Sequence, residues 1–371
     1  MFRQYEQPPG SRLGLVPCHQ QTKSFRLALF LNLLLTTATL MLGFFKRKET
    51  PDNTDPRLKR NETLLASIDL GGLPVLAPDK ISLGKVLGTG GFAKAYLCQL
   101  RAGVGDEPCD AVCKAINVEK LNDDAKYLLT NECTIWSKLK HPNIVGFYGM
   151  SCTSTSIMLL CEFMPDGSLL EAHEMFRKQR KPMPAEAELI TKLAQVASGM
   201  AYLHALEPPV LHRDLKSANI LLGNGGERLA IADFGLARFE DTHKKMTAET
   251  GSYRWMAPEV IRHEMYDWRC DVYSYAVLAW EMLTYRIPFD DMMPVEAALA
   301  VAKEGRRPPI PKECPESVQH MLEQCWHQQA VQRPSFMNIS AALSEEAALV
   351  HGPSGGVPAP ATADDGIAHQ K

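Results

Sequence analysis

The sequence lacks an excess of charge of either sign: among its 371 residues, 40 Lys and Arg residues are balanced by 43 Asp and Glu residues. A net charge of -3 gives no reason to expect binding to nucleic acid. The ten cysteines include no CxxC pair and no histidine partners at the spacing of zinc ligands. Nine of the ten lie between residues 81 and 343, which favours reduced cytosolic thiols over a disulfide framework.

Long apolar runs are also scarce, and one of them stands out: the 19 uncharged residues LALFLNLLLTTATLMLGFF at 27–45. As a helix this run would be about 28 Å long, close to the hydrocarbon thickness of a bilayer. Basic residues follow directly at 46–48, which favours a cytoplasmic position for the rest of the chain. We therefore predict a single-pass membrane helix. An organellar transit peptide stays open, because residues 1–48 contain a single acidic residue, and so does a buried or interfacial helix.

The remaining chain divides by composition into one folded domain and three polar segments. Residues 1–24 show no apolar period and are predicted to be disordered. Residues 46–80 are polar and contain several prolines, as expected of a linker after the membrane helix. Residues 349–371 are rich in Gly, Pro and Ala and predict a disordered tail. Strand-like and helix-like patterns fill residues 81–343, which we expect to form the folded domain.

Within that domain, polar residues stand between short apolar runs. The stretch LHRDLKSANILL carries Asp214 and, five residues later, Asn219, and a DFG triplet begins at Asp233 after another apolar run. The apolar runs predict short buried strands, so these polar residues should lie on loops held by a rigid core. Two carboxylates and a carboxamide so placed suit a reaction that needs one base and metal ligands. Phosphoryl transfer is such a reaction.

HRDLKSAN followed by DFG resembles the catalytic and metal-binding loops of eukaryotic protein kinases, and the resemblance extends over residues 81–343. It implies an α+β, two-lobed protein kinase fold, with a small β-rich N-terminal lobe, a larger helical C-terminal lobe and ATP between them. DLKSAN and GSYRWMAPE are most similar to the tyrosine-kinase-like group, the Raf-like and mixed-lineage-like kinases. Most members of that group phosphorylate Ser and Thr, despite its name.

The resemblance assigns roles to the polar residues of the two loops. Asp214 is expected to orient the attacking hydroxyl and accept its proton, and Asn219 and Asp233 are expected to hold two Mg²⁺ ions. Lys216 is expected to neutralise phosphate charge. Its position two residues after Asp214 also points to Ser and Thr as acceptors.

Two charged residues further upstream complete the catalytic set that the resemblance implies. Lys114 ends a predicted strand, and Glu132 lies in the predicted helix NECTIWSKLK. Lys114 is expected to bind the α- and β-phosphates of ATP and to pair with Glu132 when that helix swings inward.

A nucleotide pocket is implied by the segment GTGGFA, which resembles the glycine-rich loop over the ATP phosphates, although Ala93 replaces the third glycine. Taken alone, this segment also fits a tight hairpin without a ligand. Ala95 and Val112 exchange the family's Val and Ala, so the adenine slot should keep its ordinary volume. Cys161 occupies the gatekeeper position before the hinge. The residues expected to contact ATP are Leu87, Gly88, Gly90, Ala95, Val112, Lys114, Glu162, Met164 and Leu221.

Regulation is expected in the segment after DFG, which contains several hydroxyl side chains. In the family, an arginine such as Arg213 contacts a phosphate on this segment, and Thr247 and Thr250 are the candidates here. An upstream kinase or autophosphorylation would add that phosphate. Ser252 is expected to bond to Asp214 and Lys216.

Two buried contacts of structural character are also implied by the resemblance. Asp271 is expected to brace the catalytic loop, and Arg333 is expected to pair with Glu259.

The sequence therefore predicts a serine/threonine kinase that transfers the γ-phosphate of ATP to protein substrates. Two alternatives stay open: a pseudokinase that acts as a scaffold, and a dual-specificity or tyrosine kinase. The scaffold is disfavoured because all five of the residues that catalysis needs are present, namely Lys114, Glu132, Asp214, Asn219 and Asp233.

Overall fold

The computed structural model describes residues 73–89, 93–101, 107–117, 123–153, 155–234, 238–239 and 252–351. The predicted membrane helix, Gly90 and the candidate phosphorylation sites Thr247 and Thr250 lie outside these ranges. Within the ranges described, no helix combines the length and the apolar character that crossing a bilayer requires.

An antiparallel sheet of five strands forms the N-terminal lobe. Its strands are Ile81–Thr89 (β1), Ala93–Leu100 (β2), Cys109–Asn117 (β3), Phe147–Cys152 (β4) and Ser156–Glu162 (β5). Their order across the sheet is β1-β2-β3-β5-β4. One face is covered by the helix Asp123–Trp136 (α1), whose Cys133 joins the buried cluster of that face. The alternation of strand side chains leaves the other face for a separate small core.

Residues 73–80, expected to be linker, pack against this sheet instead. Leu73 is buried in the core beneath it, and the Met150 amide donates to the Pro74 carbonyl at 2.8 Å. Gly149 has φ +143°, and a Cβ there would lie 2.6 Å from the same carbonyl oxygen. The main-chain hydrogen bonds to Met150 and the buried side chain of Leu73 together hold this segment on β4. The polar composition of the segment did not indicate these contacts.

Helices dominate the C-terminal lobe. They are Leu169–Lys178 (α2), Glu186–His204 (α3), Pro258–Ile261 (α4), Arg269–Thr284 (α5), Pro294–Glu304 (α6), Glu316–Cys325 (α7) and Phe336–His351 (α8). Helix α5 is buried from Cys270 to Leu283 and forms the centre of the lobe. Helix α3 carries apolar residues at helical spacing, turns them inward and packs against α5 and α8.

Helix α8 continues to His351 and so extends into the region expected to be a disordered tail. The segment AALSEEAALVH consists mostly of Ala, Leu and Glu, which are strong helix formers. Packing of Ala347 into the lobe core adds to this preference.

Two small hairpins carry the loops that matter for function. Val210–Leu211 (β6) pairs with Arg238–Phe239 (β9), and Ile220–Gly223 (β7) pairs with Arg228–Ile231 (β8). HRDLKSAN connects β6 to β7, and Asp233 lies two residues beyond β8. The apolar flanks predicted as short strands are therefore strands in the structure, and they are buried.

Candidate active site

The catalytic loop is held from below by Asp271, in the first turn of α5. Its Oδ2 accepts a hydrogen bond from the His212 amide at 2.8 Å, and its Oδ1 accepts one from the Arg213 amide at 2.7 Å. The His204 ring lies 3.0 Å from Oδ2. Burial raises the pKa of Asp271, but these hydrogen bonds and nearby histidines outweigh burial and leave the pKa below its usual value. The structure thus agrees with the expected bracing role.

Asp214 has two carboxylate oxygens in different surroundings. Oδ2 accepts hydrogen bonds from Lys216 Nζ at 2.6 Å and from Asn219 Nδ2 at 3.0 Å. Oδ1 is buried and has no hydrogen-bond partner among the residues that the structure describes. Because a buried acceptor without a partner costs free energy, an oxygen left in this condition indicates a place for an incoming donor. One oxygen is therefore held in place, while the other has no partner among the described residues.

Asn219 and Asp233 come together because β7 and β8 pair in register up to the ends that carry them. The Ala232 amide donates to the Asn219 carbonyl at 2.9 Å, and Asp233 follows directly. Both side chains are buried. The Asn219 amide nitrogen donates to the Asp214 carbonyl at 2.8 Å, which leaves the amide oxygen as a potential ligand. One carboxylate and one amide oxygen fit Mg²⁺, which takes few protein ligands and completes its shell with phosphate and water.

Lys114 of β3 and Glu132 of helix α1 lie near enough for the charge of Lys114 to act on the Glu132 carboxyl group. Lys114 lies on β3 opposite Ala95 of β2 and Leu159 of β5. Burial raises the pKa of Glu132, the nearby charge of Lys114 lowers it, and the Asp233 carboxylate raises it, with a raised pKa as the net result. The Glu132 carboxyl group is thus near enough to both Lys114 and Asp233 for their charges to act on it, which places it beside two groups expected to serve a phosphate-bearing ligand.

The sheet face that carries Lys114 also carries the apolar residues expected to contact adenine. Ala95 pairs with Lys114, while Val112 pairs with Leu97 and with Cys161, so Ala95 and Val112 are diagonal neighbours on one face. Both are buried, as are the remaining apolar residues of the expected slot, namely Leu87, Met164 and Leu221. The exchange of Val and Ala therefore conserves volume locally.

The thiol of Cys161, the expected gatekeeper, is partly buried. Burial raises its pKa to about 12, although the charge of Lys114 opposes this. Since the thiolate is the nucleophile, a raised pKa disfavours reaction at Cys161 near neutral pH.

The side chain of Glu162 makes contacts that the sequence did not predict. It forms a two-point ion pair with Arg228 of β8, in which Arg228 Nη2 lies 3.1 Å from Oε2, and it accepts a hydrogen bond from the Gly146 amide at 3.1 Å. Arg228 Nε also donates to the Pro142 carbonyl at 2.9 Å. Burial raises the pKa of Glu162, but Arg228 and the amide outweigh it and lower that pKa. The side chain therefore joins β5 to β8, and only the main chain is left for a nucleotide.

A second feature missed from sequence is a row of aromatic rings through the site. Ring centroids lie 5.2 Å apart for Phe147 and Trp136, 5.9 Å for Trp136 and Phe234, and 5.5 Å for Phe234 and His212. The row connects β4, α1, the DFG triplet and the catalytic loop. These residues are far apart in the sequence, so no local pattern could have indicated it.

The segment that begins at Ser252 is anchored to the catalytic loop in two places. Lys216 Nζ donates to Ser252 Oγ at 2.7 Å, as expected. Glu281 of α5 is buried and accepts hydrogen bonds from Ser217 Oγ at 2.7 Å, the Ser217 amide at 3.2 Å and Trp255 Nε1 at 2.7 Å. Burial raises the pKa of Glu281 to about 7 in spite of these donors and Lys216.

The raised pKa of Glu281 predicts a pH dependence of stability. The folded state holds this proton up to about pH 7, whereas the ordinary value is 4.5, so stability should fall as pH rises between these values and level off above them. Glu281→Gln can keep all three contacts, with its oxygen accepting from Trp255 and the Ser217 amide and its nitrogen donating to Ser217 Oγ. We expect this variant to be more stable than wild type at pH 8 by about 1 kcal/mol or more, and not at pH 4.5.

Thermal unfolding of both proteins from pH 4.5 to pH 8 measures this difference. Parallel pH profiles would show that Glu281 does not titrate in this range. Glu281→Ala is the matched control: it removes the acceptor and leaves the Ser217 amide and Trp255 Nε1 unpaired, so it should destabilise at every pH.

Comparison with known proteins agrees with this geometry. Residues 81–343 match the family described as protein tyrosine and serine/threonine kinase, which is well over half of the chain. The chain belongs to this protein kinase family. The two-lobed fold expected from the sequence is confirmed.

The curated relatives include several serine/threonine kinases. Serine/threonine-protein kinase STY17 of Arabidopsis thaliana is 39% identical over 62% of this chain. Serine/threonine/tyrosine-protein kinase HT1 of the same organism is 38% identical over 58%. Mitogen-activated protein kinase kinase kinase 10 of Mus musculus is 35% identical over 74%. The aligned parts cover 40%, 54% and 29% of these relatives, so the chain matches only part of their length. These relatives are consistent with the Raf-like and mixed-lineage-like group expected from the sequence.

Proposed function

We propose that this chain is a serine/threonine protein kinase that transfers the γ-phosphate of ATP to hydroxyl groups of protein substrates. The observation that carries the proposal is the state of Asp214. Lys216 and Asn219 hold its Oδ2, while its buried Oδ1 has no partner among the described residues. This oxygen would accept a hydrogen bond from a substrate hydroxyl.

In this mechanism Asp214 orients the hydroxyl and takes its proton as the hydroxyl oxygen attacks the γ-phosphorus of ATP. The bond from that phosphorus to the β,γ-bridging oxygen breaks, and ADP leaves. Lys216 stays beside Asp214 and stabilises negative charge that develops on the transferred group. Lys114 binds the phosphates from the sheet side. Asn219 and Asp233 would hold two Mg²⁺ ions, whose charge neutralises the phosphate oxygens when they are bound.

Phosphoamino-acid analysis tests the reaction and its acceptor together. The full chain, incubated with ATP and Mg²⁺ and a panel of protein substrates, should yield phosphoserine and phosphothreonine. Phosphotyrosine in addition would support the dual-specificity alternative, which one relative carries in its name. ATP binding without transfer to any substrate, or to the chain itself, would support the scaffold alternative.

We further propose that phosphorylation of Thr247 or Thr250 raises activity, since both lie on the segment that follows Asp233 and a phosphate near Arg213 would order that segment. The double variant Thr247→Ala/Thr250→Ala should lose most of the activity gained on incubation with ATP. Thr242→Ala is the matched control and should keep it. Mass spectrometry of the active protein identifies the modified residue. A double variant as active as wild type would eliminate this switch.

We also propose that residues 27–45 anchor the chain in a membrane, with the kinase domain in the cytoplasm. Support comes from the length and apolar character of that run alone. Leu34→Arg/Leu40→Arg should move the protein to the soluble fraction in carbonate extraction, because each charge costs about 2.5–3.5 kcal/mol at a helix centre. Thr54→Arg is the control outside the run. Wild type in the soluble fraction would reject the anchor, and a shortened chain inside an organelle would favour a transit peptide.

A further inference from the structure

Arg213, the residue before Asp214, has its side chain engaged by a tyrosine. Its Nη2 donates a hydrogen bond to the Tyr266 hydroxyl, and its guanidinium carbon lies 5.4 Å from the centre of the Tyr266 ring. The family resemblance assigns such an arginine to a phosphate. In this structure a hydroxyl and an aromatic ring of the same lobe contact it.

Arg213 is held at both its main chain and its side chain, and the two residues that hold it lie close together in the sequence. Asp271, in the first turn of α5, accepts a hydrogen bond from the Arg213 amide at 2.7 Å. Tyr266 lies five residues before Asp271, just ahead of that helix. Arg213 has φ +69°, in the left-handed region that costs free energy for a residue with a side chain. A residue in this conformation persists when its surroundings determine it from several sides.

The surroundings strengthen the contact between the two side chains. Arg213 and Tyr266 line a small pocket with the buried apolar residues Met256, Ala257 and Cys270. Arg213 Nε is buried and has no hydrogen-bond partner within the part of the chain that the structure describes. The hydrogen bond itself is partly buried, and in such a setting a bond from a guanidinium to a hydroxyl is stronger than on a fully exposed surface.

We propose that Tyr266 is a positioning residue for catalysis: it holds Arg213, and through it the neighbouring Asp214, when the segment after Asp233 carries no phosphate. The inference rests on the proposed kinase function. The contact with Tyr266 then holds the catalytic loop without any phosphorylation. A phosphate on the segment after Asp233 would add a second contact to Arg213 or replace the contact with Tyr266.

The test is Tyr266→Phe in the full chain after phosphatase treatment. Loss of one hydrogen bond to a charged group should lower kcat about tenfold, with the KM for ATP unchanged. The same variant should lose less once phosphorylated. Tyr275→Phe is the matched control, since it removes from α5 a hydroxyl that donates to the Leu193 carbonyl at 2.9 Å, away from Arg213, and should keep kcat. A Tyr266→Phe variant with unchanged or higher kcat would overturn the proposal.

A double-mutant cycle distinguishes an effect through Arg213 from a general loss of packing. In an Arg213→Met background, Tyr266→Phe should have little further effect on kcat, whereas additive effects would overturn the proposal. An inactive wild type with an inactive Tyr275→Phe would count against the kinase function itself. In that case the double-mutant cycle is measured on the free energy of unfolding. Additive effects of Tyr266→Phe and Arg213→Met on that free energy would again overturn the role of Tyr266.

Discussion

Asp214→Asn should lower kcat at least about a hundredfold, the usual scale for loss of a general base. The substitution preserves the size of the side chain but not its hydrogen-bonding character. Asn must direct its oxygen to Lys216 Nζ and Asn219 Nδ2, because both are donors. Its amide nitrogen then occupies the place of Oδ1, the oxygen without a partner. A donor would face the substrate hydroxyl where an acceptor is required.

The expected loss is confined to the chemical step, which gives the experiment its control. Lys114 of β3, Glu132 of α1 and the apolar slot are untouched by the substitution, so ATP should bind with nearly wild-type affinity. Asp290→Asn is a matched substitution at an exposed aspartate paired with Arg286, and it should keep full turnover. Initial rates and ATP binding are measured on all three proteins. Unchanged turnover in Asp214→Asn would refute the role given to this residue.

The second large effect is expected at the buried pair of Arg333 and Glu259, which the structure forms as the sequence predicts. Arg333 Nη1 lies 2.6 Å from Oε1 and Nη2 lies 2.8 Å from Oε2. The Arg333 side chain is fully buried, and that of Glu259 is 8% exposed. Arg333 also stacks on the Tyr273 ring at 5.2 Å. Such a two-point pair connects α4 to the segment between α7 and α8.

Arg333→Met should lower the free energy of unfolding by about 3–5 kcal/mol, because it leaves the Glu259 carboxylate buried without a counter-charge. Arg333→Met/Glu259→Gln should cost less than the sum of its two single variants, since it leaves no lone charge. Arg286→Met is the matched control: that pair is exposed, and its loss should cost about 1 kcal/mol or less. Urea titration followed by tryptophan fluorescence measures all four. Equal costs at the buried and exposed pairs would contradict this account.

Elements that a local pattern of apolar residues indicates could be predicted from the sequence. The strands on both sides of HRDLKSAN follow from apolar runs, and helix α3 follows from apolar residues at helical spacing. Asp214, Asn219 and Asp233 were predicted as one group because the apolar runs beside them indicated short buried strands, with these polar residues on neighbouring loops. The pairs of Asp271 with the catalytic loop and of Arg333 with Glu259 were expected from the family resemblance, and their geometry agrees.

Contacts between residues that are distant in the sequence could not be predicted, for a physical reason. The side chain of Glu162 is taken by Arg228, and the side chain of Arg213 is held by Tyr266. Neither pairing follows from propensity or periodicity, because each depends on how two separate elements pack. The same holds for the pKa of Cys161 and of Glu281, which burial raises. The sequence by itself determined which chemical groups the site contains, since these are short motifs on local elements. Only the tertiary structure decided which of those groups are held, which are left without a partner and which have shifted pKa values, because desolvation and partner geometry exist only once the lobes have packed.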